Sequence, residues 1–169
     1  MICRRTLPLV SLPRVQTLFL IGAIILIVFA DTKIFPFASL IHGVSPSDPN
    51  YNEYNDGVYS MTDNKALFIL SNCIIIALIN GIILFKNRKS QTNIIILSNL
   101  LIGFLIVGVA YFSKNAATHL LNEPNGTSPE IQTNPIPYAF LIIALALSGL
   151  AIFYIRKDEK LVRSADRLR

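Results

Sequence analysis

Three stretches of this chain, Ala66 to Phe85, Ile94 to Phe112 and Tyr138 to Ile155, run for 20, 19 and 18 residues without one Asp, Glu, Lys, Arg or His. Such runs constrain the fold more than any other feature. A helix rises about 1.5 Å per residue and a bilayer's hydrocarbon core is about 30 Å thick, so each run is long enough to cross once. Composition agrees: 53% of the 169 residues are hydrophobic and 15% are charged, with a mean hydropathy of +0.55. Soluble domains carry more charge. A fourth segment, Val15 to Pro36, is less clean, because its uninterrupted apolar run, Leu18 to Ala30, is closed by Asp31 and Lys33. No small-residue cleavage site follows that run. The expectation is an uncleaved helix to about Pro36, with the Lys33 ammonium reaching outward to water.

Basic residues give the orientation, since Lys and Arg are retained on the cytoplasmic side. The N-terminal leader, the turn KNRKSQTN and the C-terminal tail hold 12 of the 15 basic residues, leaving Lys33, Lys65 and Lys114 for the two longer loops. Net charge divides the same way, +9 on the first side and −4 on the second. The fold class expected is therefore an all-α membrane protein. It has four transmembrane helices (about 15–36, 66–85, 94–112 and 138–155) in an antiparallel bundle, both termini cytoplasmic. Residues 1–14 form a cytoplasmic leader, 15–155 the membrane domain and 156–169 a cytoplasmic tail. The overall +5 fits topology and anionic lipid, not nucleic acid.

The short basic turn makes helices two and three antiparallel neighbours. Counting inward from the ends of that hairpin puts Asn80 and Asn99 at one height, and a hydrogen bond between them is expected to lock it. Cys73, Ala77 and Gly81 recur every four residues, as do Ala144 and Ser148, with Ala151 beyond. Such small faces suit close packing within the bundle. The outer loops are rich in Asn, Asp, Ser, Pro and Tyr and read as turns.

Chemistry is harder to find. The three charge-free runs hold no Asp, Glu, Lys, Arg or His for a relay. His42 and His119 lack any ligand spacing, and Asp48, Asn50 and Asn52 begin a calcium-loop pattern that fails at Glu53 and Tyr59. Cys3 and Cys73 belong to no CxxC motif. No metal, cofactor or catalytic residue is expected.

Nine of the last fourteen residues, RKDEKLVRSADRLR, are charged. Read as a separate short amphipathic helix, they place Leu161, Ala165 and Leu168 on one stripe with Val162 beside it. Glu159 pairs with Arg163, and Arg163 with Asp166. Arg156, Lys157, Lys160, Arg163 and Arg167 suit lipid headgroups, while the apolar stripe offers a face to lipid or to another protein.

PRVQTLFLIGAII near the start, the basic turn after the second helix and KDEKLVRSADRLR at the end resemble a bacterial family of small four-helix membrane proteins, domain of unknown function 4293. The resemblance covers roughly residues 13 to 169 and implies four crossings, an inner-membrane location and no known activity. Its members typically begin near the stretch found here at Arg14 to Thr17, so MICRRTLPLVSLP reads either as an extension relative to them or as a mis-assigned start. The function expected is that of a non-enzymatic accessory, scaffold or assembly subunit. The alternative is a small transporter or channel component using Asn72, Asn80 and Asn99.

Overall fold

The computed structural model describes residues 15–40, 58–85, 87–121 and 131–166. It is mostly helical: α1 (Val15–Asp31), α2 (Lys65–Ile83), α3 (Arg88–Leu121) and α4 (Ile136–Asp166). Three very short strands, β1 (Ala38–Leu40), β2 (Val58–Tyr59) and β3 (Ile131–Thr133), form one antiparallel sheet in the order β2-β1-β3. Ala38 pairs with Tyr59 on one side and Thr133 on the other.

Local chemistry sets the helix ends. Asn64 caps α2, its side-chain oxygen accepting from the amides of Ala66 and Leu67 at 3.0 and 3.4 Å. Before it, Met61–Asp63 makes a turn closed by a capping box, in which the Ser60 amide donates to Asp63 Oδ2 at 2.8 Å. Asn87 and Asn134 serve α3 and α4 in the same manner, accepting from Ser90 N and Ile136 N. The turn between α2 and α3 is tighter than KNRKSQTN implied, because α3 already begins at Arg88.

Two expectations about helix length need correction. α1 stops at Asp31, not Pro36: the Thr32 amide and hydroxyl both donate to the Phe29 carbonyl, and Phe35 N bonds Thr32 O, tightening the chain into turns before Pro36. A residue ahead of proline disfavours helix, which completes the stop. At the other terminus no break separates span from tail. α4 runs unbroken for 31 residues, since between Leu150 and Asp166 there is neither glycine nor proline.

Each helix buries a stripe with spacings of four and three residues. α1 buries Gln16, Leu20, Ala23, Ile27 and Ala30, and α2 buries Leu67, Ser71, Ile74, Leu78 and Gly81. α3 buries Gln91, Ile95, Ser98, Ile102, Leu105 and Val109, and α4 buries Leu141, Ala144, Ser148, Ala151 and Ile155. A repeat averaging 3.5 residues is that of helices packed side by side with a slight left-handed supercoil. α1 packs most extensively on α4, α2 on α3, and the set is closed by α3 on α4 and α1 on α2. Glycine permits the close approaches: a Cβ on Gly81 would stand 3.2 Å from Ile95 Cγ1, and one on Gly108 3.1 Å from Leu67 Cδ2.

The opposite faces are also apolar. Ile69, Ile76 and Ile83 on α2, Phe104 and Val107 on α3, and Phe153 on α4 are each about 60% exposed or more. Water would not tolerate so continuous an apolar surface. α2, α3 and α4 are long and apolar enough to cross a membrane, and most of each apolar stretch lies outside the buried stripes. α1, at 17 residues, is the shorter apolar helix; at about 1.5 Å per residue it reaches roughly 25 Å, near the lower limit for a span.

Candidate functional site

With hydrocarbon-like side chains on both faces, the informative groups are the polar ones, and they fall in three layers. At the sheet end, where α1 finishes and α2 and α4 begin, Ser71 donates to Asp31 Oδ2 at 3.4 Å and to its own Phe68 carbonyl at 2.9 Å. Lys33 meets Asp63 at 3.4 Å, so its ammonium pairs locally. Ser113 on α3 shares a 3.3 Å bond with the Tyr138 hydroxyl on α4, and the Tyr138 ring stands edge-on to Phe37 with centroids 4.9 Å apart. Phe37, Tyr59 and Met61 are fully buried there.

At mid-height Ser148 of α4 donates to Asn99 Oδ1 of α3. Asn99 therefore bonds α4 and not Asn80. The expected Asn80–Asn99 contact is absent, because Asn80 lies outside the buried stripe of α2 and is exposed. Equal depth on neighbouring helices does not bring side chains together unless both also lie on the facing stripes.

The tail end carries the third layer. Gln16 at the start of α1 donates through Nε2 to Asp158 of α4, three residues beyond Ile155 and in register with its buried stripe. Gln91 Nε2 donates to the Gly81 carbonyl at 2.9 Å, tying the first turns of α3 to the last of α2. Both glutamines are buried, and neither was singled out from sequence alone. Arg88 Nη1 at this end and Asp31 Oδ1 at the other are buried with no hydrogen-bond partner among the described residues.

Of the tail residues, Arg156, Lys157 and Lys160 are exposed on α4. The helical backbone carries Leu161, Val162, Arg163 and Ala165, whose side chains lie outside the described residues, as do Arg167 and Leu168 entirely. His42 is also outside them, and of His119 only the helical backbone is described. Among the described residues no group of three or more His, Cys, Asp or Glu could hold a metal ion. The small-residue faces divide: Ala144, Ser148, Ala151 and Gly81 are buried, whereas Ala77 is half-buried and Cys73 is exposed.

Three helices long and apolar enough to cross a membrane, with Ile, Leu and Phe on their outer faces and a few serines and glutamines among the buried residues, are compatible with a membrane protein. The chain belongs to the family described as a domain of unknown function (DUF4293), whose model matches residues 12–168. No curated protein and no solved structure matches it significantly.

Proposed function

We propose that this chain is a multi-pass protein of the bacterial inner membrane that acts as a non-enzymatic accessory, scaffold or assembly subunit. In this reading α1 is the fourth span, the four helices form an antiparallel bundle, and both termini and the α2–α3 turn are cytoplasmic. The start of α1, that turn and the α4 extension all lie at the tail end, where the basic residues concentrate; this supports the orientation. The sheet then faces the extracytoplasmic side.

The observation that carries the scaffold reading is the continuity of α4. One helix leaves the apolar layer and continues into a mixed-charge segment, clasped to α1 by Gln16–Asp158, and presents Arg156, Lys157 and Lys160 to the surroundings. Basic side chains there suit anionic headgroups, and the remaining turns suit a protein partner. The transport alternative is supported less. Asn72 and Asn80 face outward, Asn72 bonding its own Phe68 carbonyl at 2.8 Å, and Asn99 is engaged by Ser148, so the three amides line no common path.

The test is affinity purification from native membranes of the full chain and of one ending at Lys160, which keeps the clasp. Partners present only with the complete tail are expected. Identical sets from both chains would remove the tail as a docking element.

A further inference from the structure

The membrane-facing surface of α2 differs from those of its neighbours. Within the apolar runs the exposed positions of α1 are Leu18, Ile21, Ile25, Val28 and Phe29, and those of α4 are Ala139, Ile142, Ile143, Ala146, Leu150 and Phe153. On α3 they are Ile96, Leu97, Leu100, Phe104, Val107 and Tyr111. On α2, by contrast, Asn72, Cys73 and Asn80 are exposed among isoleucines. Asn80 makes no side-chain hydrogen bond among the described residues.

Depth makes this costly. At about 1.5 Å per residue, Asn72 and Asn80 lie roughly 3 and 9 Å from Ile74, the midpoint of α2, inside a hydrocarbon half-thickness of about 15 Å. Lipid tails offer an amide neither donor nor acceptor. A helix surface carrying such groups calls for a partner that does.

The spacing indicates its shape. Ile69, Cys73, Ile76, Asn80 and Ile83 follow the same four-three alternation as the buried stripe Leu67, Ser71, Ile74, Leu78 and Gly81, displaced by two residues and so turned about 200° around the helix. α2 thus carries two seams of coiled-coil period on opposite sides, and the fold uses one. The outer seam is uncharged along its length, so a copy of itself meets no repulsion.

We infer that the outer seam of α2 pairs with the same seam of a second copy of this chain. Copies inserted in one orientation meet about a two-fold axis along the membrane normal, which brings each seam residue to its own counterpart at equal depth. Carboxamide is self-complementary, each giving an N–H and taking one on its carbonyl oxygen, so an Asn80 pair satisfies what lipid leaves open. Isoleucines at 69, 76 and 83 fill the seam between, and Cys73 stands next to its counterpart. The inference rests on the membrane reading above.

The full chain carrying Cys3→Ser is first reconstituted in phosphatidylethanolamine and phosphatidylglycerol vesicles and extracted with alkaline carbonate. Release from the vesicles at that step overturns the membrane reading, and with it this one. Retained protein is then oxidised: a Cys73-linked dimer is expected, while a Cys3→Ser, Cys73→Ala, Leu100→Cys variant, its thiol on the outer face of α3, is expected to stay monomeric. Energy transfer between labelled copies on dilution with lipid gives the equilibrium, and Asn80→Leu is expected to raise the apparent Kd roughly three- to thirty-fold, the range for an interhelical hydrogen bond. Asn80→Gln, which keeps the amide, is expected to bind near the parent value. Absence of the Cys73 dimer, equal crosslinking through the α3 face, or an unchanged Kd for Asn80→Leu overturns the pairing. So does crosslinking of Cys73 in native membranes to a different protein only.

Discussion

The two ends of the molecule are closed by different means. At the sheet end three segments distant in sequence meet as β1, β2 and β3 above a buried aromatic group, with Phe37 edge-on to Tyr138. At the tail end there is no such cover among the described residues. Helices simply arrive, and two glutamines join them in pairs, Gln16 to Asp158 and Gln91 to the Gly81 carbonyl. The contrast shows how one chain can cover one end with short paired strands and join helix ends directly at the other. Packed rings and paired strands hold the first end, whereas helix packing pinned by two polar contacts holds the second.

The sharpest way to break this comparison is Phe37→Ala, which empties the aromatic site beneath the sheet. Loss of about 3–5 kcal/mol is expected by denaturant unfolding in micelles, and a loss no larger than that at the tail end would erase the distinction. Next comes Gly81→Val, whose added carbons enter space occupied by Ile95; overpacking of about 1–3 kcal/mol is expected in the same assay, and a neutral result would show that α2 and α3 can separate freely. A double-mutant cycle of Gln16→Leu with Asp158→Leu is expected to give a coupling of about 0.5–2 kcal/mol, and strict additivity would dissolve the clasp. At mid-height, Asn99→Leu with Ser148→Ala is expected to couple by about 0.6–1.7 kcal/mol, and Asn80→Leu with Asn99→Leu to be additive. Lys33→Ala is expected to cost no more than about 1 kcal/mol, because the Lys33 side chain is 49% exposed and solvent screens the pair with Asp63.

Much of the helical skeleton was legible in the residues, since charge-free runs of spanning length admit few other structures. The family was legible too, through its first and last segments. The sheet was not. Strands of three, two and three residues, ASL, VY and IQT, are too short for an alternating pattern to rise above the loop composition around them. Asn80 and Asn99 agree in height alone, and the rotation of each helix keeps them apart. That rotation was open to inspection: the stripe from Leu67 through Ser71, Ile74 and Leu78 to Gly81 passes Asn80 by. The overlong first helix has a similar cause: Pro36 is the conspicuous end signal in the sequence, but the turn is already set at Thr32.

The uninterrupted course of α4 has a mechanical side. A helix without a hinge between Leu150 and Asp166 behaves as a stiff shaft, and Asp158 grips it against α1 part way along. Twisting force applied to the charged segment therefore travels into the apolar layer, where Ser148 meets Asn99, instead of dissipating in a linker. Whatever grasps the tail takes hold of α3 as well.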